Sequence, residues 1–171
     1  MTPAENPFLR SALTWSLAAA LLLAAAGSSA AQFRSAPAVA FPRAALQIVG
    51  ADGAAHPFTV EVARSPAQRA RGLMFRTRLD PAEGMLFLYP VPQRARMWMK
   101  DTPLSLDMLF LATDGRVSEI AAGTEPLSLT TIASSDPVLG VLELRGGRCA
   151  ELGITPGARV LHPAFEAGSA R

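Results

Sequence analysis

Two apolar runs flank a turn dipeptide at residues 106–120, whose sequence is LDMLFLATDGRVSEI. Asp114-Gly115 favours the tight turn of a β-hairpin, and each flanking run has the length of a strand. Within the first run, Met108–Leu111 is apolar at every position, which is typical of a strand buried on both faces. The segment therefore predicts a hairpin whose first strand has no solvent-facing side.

Short apolar runs separated by breaker residues continue along the chain on both sides of this hairpin. Upstream, residues 46–49 and 58–62 flank Asp52-Gly53 and predict a second hairpin with a longer loop. The remaining runs are residues 85–89, 94–99, 127–132, 138–144 and 159–162. About eight or nine strands at this spacing predict a mainly β protein, a β-rich α+β fold built as a compact antiparallel sandwich or barrel.

Two short helices complete the predicted fold. Residues 65–68, Ser-Pro-Ala-Gln, form a capping-box start with proline at the first helical position, and Gly72 ends this helix. A second short helix is expected within residues 147–153, between two glycines. It contains Cys149, which we expect to be a small buried hydrophobic residue.

The N-terminal region has the layout of a signal peptide. Residues 11–31 carry no charge and follow Arg10, and the small residues Ser28 and Ala30 suit cleavage before Ala31. An uncleaved membrane anchor is the alternative, because residues 11–31 are just long enough to span a bilayer.

The chain divides into four parts on this basis. They are a signal peptide at residues 1–30, a linker at 31–44, a β-rich domain at 45–165 and a C-terminal tail at 166–171. We expect the signal peptide to be cleaved and the protein to be periplasmic or secreted.

Composition excludes several classes of function. The chain has 16 Lys and Arg residues against 14 Asp and Glu, a surplus too small for binding nucleic acid by charge alone. A single cysteine cannot form an intramolecular disulfide. There is no glycine-rich phosphate loop, no Gly-x-Ser-x-Gly elbow and no Cys-x-x-Cys, and His56 and His162 are far apart in sequence. We therefore expect no cofactor and no metal.

Six short motifs stand in an order that resembles the DUF192 family. They are GLMFR at 72–76, GMLF at 84–87, WMKDT at 98–102, LDMLF at 106–110, VLEL at 141–144 and LGI at 152–154. The resemblance covers residues 46–163 and implies a compact β-rich domain with short helices, often behind a signal peptide, of uncharacterised activity. Asp101 departs from the asparagine usual after the lysine of the family motif, and Ala158 departs from an aspartate.

Polar residues within these motifs are the candidates for function. Lys100 is the only lysine among the 16 cationic residues, which indicates either a packed site or a need for a titratable amine. On a strand, Arg96, Trp98 and Lys100 share one face, where the tryptophan can stack on a planar or sugar-like ligand. Asp107 enters a buried strand and is the expected ion-pair partner of Lys100.

Arg76 and Glu143 are further candidates for the same polar cluster. Arg76 directly follows an apolar run and offers a second partner for Asp107, and Glu143 lies between Leu142 and Leu144 in an apolar strand. A Lys–carboxylate arrangement is compatible with acid–base chemistry and equally with a buried structural pair.

These residues favour a binding module with a polar cleft near Trp98, Lys100 and Asp107. The expected ligand is an unknown small molecule, glycan or protein, and membrane contact is expected only through the signal segment. The alternative is a hydrolase or lyase of envelope material that uses Lys100 with Asp107 or Glu143, and a structural or protein-interaction domain is the third hypothesis. A cleft with two or more facing titratable groups would favour the enzyme.

Overall fold

The computed structural model describes residues 39–166, so the predicted signal peptide at residues 1–30 and most of the predicted linker lie outside the described part. The described residues form seven strands and three short helices. The strands are β1 (Arg43–Val49), β2 (Ala55–Ala63), β3 (Glu83–Met97), β4 (Leu106–Leu111), β5 (Val117–Ala121), β6 (Ile132–Arg145) and β7 (Arg159–Leu161). The helices are α1 (Pro66–Arg71), α2 (Arg148–Glu151) and α3 (Pro163–Glu166).

All seven strands belong to one curled sheet in the order β5-β4-β6-β3-β2-β1-β7. Every pair is antiparallel except β2 and β3, which are parallel and are joined by a crossover that contains α1. The two edge strands approach each other at one end, where the backbone N–H of Val117 donates to the carbonyl of Ala158 at 2.8 Å. The predicted β-rich fold class is confirmed, as a half-barrel.

The sheet separates two hydrophobic cores. Inside the curl, Ile48, Leu86 and Leu142 belong to one buried cluster, which Phe165 of α3 and Cys149 of α2 also join. The second cluster lies on the outer face, beneath the connections at residues 64–82 and 98–105. Its members include Leu73, Met85, Phe87, Met99, Met108 and Val141. Strand β4 is buried at all six positions, as the uninterrupted apolar run at residues 108–111 predicted.

Strands β3 and β6 are longer than the sequence suggested. The runs at residues 85–89 and 94–99 were expected to be separate strands, but β3 continues from one into the other through an irregular register between Leu88 and Gln93. Pro90 and Pro92 lie in that interval, and proline has no N–H to donate to a ladder. Seven strands therefore replace the expected eight or nine.

Residues 127–132 do not form the predicted strand, since only Ile132 begins β6. Leu127 has a φ of +62°, which is incompatible with an extended strand, and residues 122–131 form a loop. A third helix, α3, was not predicted. The predicted capping box of α1 is confirmed, because Ser65 accepts from the N–H of Gln68 at 3.2 Å and the Gln68 side chain accepts from Ser65 at 2.9 Å.

Candidate functional site

Glu143 is a carboxyl group embedded in the outer hydrophobic cluster. It occupies the middle of β6, pairs with Met85 of β3 and Met108 of β4, and is only 4% exposed. The side chain makes no hydrogen bond or ion pair within residues 39–166. Burial raises the pKa of the Glu143 carboxyl from 4.5 to about 8, so the group is mostly protonated at neutral pH.

A cleft of about 60 Å³ opens above this carboxyl, and we call it the Glu143 cleft. Its apolar wall comes from the α1–β3 connection and from β3, and its polar lining is mainly cationic. The polar and aromatic lining residues are Arg69, Arg71, Arg96, Trp98, Thr102 and Glu143. Three arginines and a single acid therefore line the cleft.

The three arginines differ in how firmly they are held. Arg69 at the end of α1 donates to the backbone carbonyls of Arg64 and Leu88, and its guanidinium lies 5.7 Å from the centre of the Tyr89 ring. Arg71 lies 4.7 Å from the centre of the Phe75 ring. Neither Arg71 nor Arg96 forms an ion pair with a carboxylate of the described residues. These two charges are free to attract an anion.

A wider groove continues from the Glu143 cleft along the outward face of β3. Its volume is about 360 Å³, and it shares Arg69, Arg96 and Trp98 with the cleft while adding Tyr89 and Arg94. The same groove presents π-faces on which a planar or sugar-like group can stack. The arrangement suits a ligand with an anionic head and a larger body.

Lys100 does not form the expected ion pair with Asp107. Its side chain is exposed, and its ammonium lies 5.5 Å from the centre of the Trp98 ring, in a cation–π contact. The half-exposed Trp98 side chain thus contacts Lys100 and also lines the cleft.

Asp107 is fully buried and is satisfied by backbone donors instead of a cation. One carboxylate oxygen accepts from the N–H groups of Gly123 at 2.9 Å and Gly147 at 3.1 Å, and the other accepts from Cys149 at 2.8 Å. These bonds tie the start of β4 to the loop after β5 and to the first turn of α2. Asp107 is a structural residue that does not line the Glu143 cleft.

The thiol of Cys149 is part of the same arrangement. Burial and the neighbouring Asp107 carboxylate raise the pKa of the Cys149 thiol to about 12. A nucleophilic cysteine acts as the thiolate, so this thiol is inert at neutral pH.

Arg76 also has a partner other than Asp107. Its guanidinium forms a bidentate ion pair with Glu61 of β2, at 2.5 and 3.0 Å. The structure therefore brings Trp98 and Glu143 into one cleft, places Lys100 beside Trp98, and leaves Arg76 and Asp107 outside the lining.

Arg69 and Arg71 are site residues that sequence analysis did not identify. They lie in the last turn of α1, where cations are common because they complement the negative end of the helix dipole. Only the contact between the α1–β3 connection and the outer face of the sheet brings them above Glu143, so no local pattern could have identified them.

Comparison with known proteins agrees with this architecture. The model of the DUF192 family, described as "Uncharacterized ACR", matches residues 47–162. The chain belongs to the DUF192 family. No curated protein matches it.

Two solved structures are similar to this DUF192 domain. One, described as a candidate transcription regulator from Sinorhizobium meliloti 1021, is 40% identical with a TM-score of 0.72, and the match covers 74% of this chain and 98% of that one. The other is a protein of unknown function from Novosphingobium aromaticivorans DSM 12444, 41% identical with a TM-score of 0.70, and the match covers 74% and 90%. Both similarities support the fold and the family assignment.

Backbone contacts between two DUF192 motifs shape one side of the cleft. The N–H of Phe75 in GLMFR donates to the carbonyl of Asp101 in WMKDT at 2.7 Å. Asp101 has a φ of +53°, a left-handed conformation that asparagine and aspartate adopt more readily than other non-glycine residues. The backbone conformation therefore accounts for the asparagine expected there and for its replacement by aspartate.

Within residues 39–166 no group of three or more His, Cys, Asp or Glu side chains has the arrangement of a metal site. No helix in the same range combines the length and the hydropathy of a membrane span.

We expect Asp107→Ala to destabilise the fold by about 3–5 kcal/mol, because three backbone N–H groups, among them the buried N–H of Cys149, lose a hydrogen bond to a carboxylate. Thermal unfolding followed by circular dichroism should show a fall in Tm of roughly 10 °C or more. The control is Lys100→Arg, which keeps an exposed cation and should melt within about 1 °C of the parent. Equal losses in the two variants would contradict a structural role confined to Asp107.

Glu143 should make stability depend on pH in a direction opposite to that of most carboxyl groups. Its pKa is about 8 in the folded protein and 4.5 when unfolded, so the folded state binds more protons between these values. The free energy of unfolding should therefore fall as pH rises from about 5 to 8, by up to about 1.4 kcal/mol per pH unit.

The isosteric variant Glu143→Gln isolates this contribution. Its Tm, measured from pH 5 to 9, should decline less over that interval than the Tm of the parent, and it should exceed the parent Tm at pH 9. If the Tm values of the two proteins change in parallel with pH, burial does not raise the pKa of Glu143.

Proposed function

We propose that this DUF192 protein is a binding module for a small ligand with an acidic head group, which occupies the Glu143 cleft. The observation that supports the proposal is the Glu143 side chain, which is largely buried, has no hydrogen-bond partner in residues 39–166 and lines a cleft with Arg69, Arg71 and Arg96. A carboxyl group that faces a cleft without a protein partner is available to a ligand.

The charges of the cleft complement an anion. Arg71 and Arg96 supply uncompensated positive charge, and protonated Glu143 supplies an O–H donor at neutral pH. Guanidinium groups bind carboxylates in a planar, bidentate manner, which suits a carboxylate head. An anion that accepts from all three groups removes the unsatisfied donor and balances the cations.

The volumes of the cleft and of the groove suit a ligand with a small head group and a larger body. A cavity of about 60 Å³ holds only a few non-hydrogen atoms, and the neighbouring groove of about 360 Å³ holds a ring-sized group. Tyr89 and Trp98 offer aromatic surfaces along this path. A ring that carries a carboxylate, either aromatic or a sugar acid, matches both parts.

The cleft is better suited to binding than to acid–base catalysis. Among its lining residues, Glu143 is the one group that titrates near neutral pH, because guanidinium groups stay protonated. The hypothetical catalytic set also includes Lys100 and Asp107. Lys100 lies against the Trp98 ring, and Asp107 lies in the interior. A hydrolase or lyase that needs a paired acid and base would lack one of them here.

We also propose that the protein acts outside the cytoplasm. The uncharged residues 11–31 after Arg10 support export. Outside the cytoplasm, a binding module of this kind would encounter organic acids and envelope glycans. N-terminal sequencing of the protein from the envelope fraction should give a start near Ala31. A start at Met1 or Thr2 would contradict cleavage and favour the membrane anchor.

Binding should be tested by calorimetry with benzoate and galacturonate as probes and with benzamide as an uncharged control. We expect one or both carboxylates, and not benzamide, to bind the parent at pH 6.5. Arg71→Gln and Arg96→Gln should each weaken binding by roughly tenfold, since each removes a charge-assisted contact. Arg116→Gln, which removes an exposed arginine outside the cleft lining, is the matched control and should leave affinity unchanged.

The pH dependence provides a second measurement. Affinity should fall as pH rises through about 8, where Glu143 ionises and repels the carboxylate. Glu143→Gln retains a neutral donor, so it should bind the probe with little change between pH 6.5 and 9. Equal binding of benzamide and benzoate, or an Arg96→Gln variant with full affinity, would refute the proposed head-group site.

A further inference from the structure

Three residues other than glycine have positive φ within residues 39–166, and they converge on one place. They are Phe75 at +66°, Asp101 at +53° and Leu127 at +62°. The N–H of Phe75 donates to the carbonyl of Asp101 at 2.7 Å, and the N–H of Leu127 donates to the carbonyl of Thr102 at 3.0 Å. Three separate loops are therefore joined through adjacent residues of the WMKDT motif.

Two of these strained positions carry bulky apolar side chains that are exposed to solvent. Glycine adopts positive φ without strain, whereas phenylalanine and leucine rarely do. Phe75 is 60% exposed and Leu127 is 58% exposed, so burial within the chain does not compensate for the strain. Backbone strain of this kind concentrates at functional sites.

Two further exposed apolar side chains lie on the same loops. Trp98 is 51% exposed and Leu129 is 70% exposed, and their loops are joined by a hydrogen bond from the N–H of Met99 to the carbonyl of Ser128 at 3.0 Å. We call Phe75, Trp98, Leu127 and Leu129 the apolar loop face. Most of the large exposed hydrophobic residues of the described chain belong to it.

The charges near the apolar loop face are mainly positive. Arg71 stacks on Phe75, Lys100 stacks on Trp98, and Arg94 and Arg96 precede Trp98 at alternate positions of the chain. The acidic residues of the same loops are Asp80, which is paired with Arg78, and Asp101 and Glu125. Four cations near the rings thus stand against three acids, one of which is already paired with an arginine.

We propose that the apolar loop face docks onto the surface of an anionic lipid bilayer. Tryptophan and phenylalanine accompanied by basic residues are the combination that partitions into the interfacial region, where rings enter the acyl boundary and cations meet the head groups. Cations near the surface add attraction to anionic lipids. This contact is distinct from the signal segment and does not require the proposed ligand of the Glu143 cleft.

A bilayer fits the face better than a folded protein partner. Four side chains on loops expose apolar surface on the order of a few hundred Å². A stable protein interface buries about 800 Å² on each partner, which exceeds this face. Shallow insertion into a membrane needs no complementary surface beyond apolar side chains and nearby charge.

The test measures the fluorescence of Trp98 in the processed protein that starts near Ala31, because the apolar residues 11–31 would insert into vesicles themselves. The sequence contains two tryptophans, and Trp15 belongs to the proposed signal peptide, so Trp98 is the only one in the processed protein. The probes are phosphatidylcholine vesicles and 3:1 phosphatidylcholine–phosphatidylglycerol vesicles, each with and without brominated acyl chains. We expect a blue shift and quenching by brominated lipid, at least about threefold stronger with the anionic vesicles.

Glycine substitutions remove the apolar side chains without adding strain. In the processed protein, Phe75→Gly with Leu127→Gly should melt no more than about 2 °C below the parent, because glycine suits positive φ. Its partition into anionic vesicles should be at least about tenfold weaker, since two exposed hydrophobic groups are lost. Leu161→Ser removes an exposed leucine from β7 at the sheet edge and should leave partition unchanged.

Three results would overturn the proposal. They are absence of quenching by anionic vesicles, equal quenching by both lipid compositions, and full partition of the double glycine variant. Self-association that the double glycine variant abolishes, combined with no vesicle effect, would identify the face as an interface between copies of this chain. Carboxylate binding by the same variants, measured separately, keeps failure of this proposal distinct from failure of the Glu143 site.

Discussion

Strand β6 hydrogen bonds to β3 on one side and to β4 on the other, and residues 140–144 are buried on both faces. A central strand with this environment requires a cover on the outer as well as the inner side of the sheet. The inner cover is the curl of the sheet itself, and the outer cover is the pair of connections at residues 64–82 and 98–105. This burial on both faces encloses the Glu143 side chain at the position where the cleft forms.

The two buried carboxyl groups of the sheet are accommodated in opposite ways. Asp107 enters β4 with three backbone donors around it, whereas Glu143 on neighbouring β6 has none within residues 39–166. Packing around Glu143 is tight at the backbone: a Cβ added to Gly84 of GMLF would lie 2.5 Å from the Glu143 carbonyl. Only glycine at position 84 allows this approach of β3 to β6, which holds the Glu143 side chain where it lines the cleft.

Features governed by neighbouring residues were predictable from sequence. The capping box of α1 depends on residues 65–68 alone, and the β1–β2 hairpin depends on alternation around a turn. The double burial of β4 depends on the apolar run at residues 108–111. The merging of two runs into β3 was not predictable in this way. It depends on β6, which pairs with both runs across an irregular interval that contains two prolines.

The candidate site was predicted less completely, because its chemistry depends on distant segments. Glu143 and Trp98 were identified by their unusual settings, but the partner of Asp107 was not. The sequence could not show that the loop after β5 and the first turn of α2 would present N–H groups to Asp107. An ion pair with Lys100 was the simpler expectation, and backbone donors replaced it.

The cleft and the apolar loop face share their supporting loops. Trp98 belongs to both, Thr102 lines the cleft while its carbonyl holds Leu127, and Phe75 carries the Arg71 guanidinium that borders the cleft. A displacement of any of these loops breaks a hydrogen bond that another loop needs. The hydrogen bonds of Phe75 and Leu127 to the WMKDT motif therefore support one wall of the cleft and the apolar loop face together.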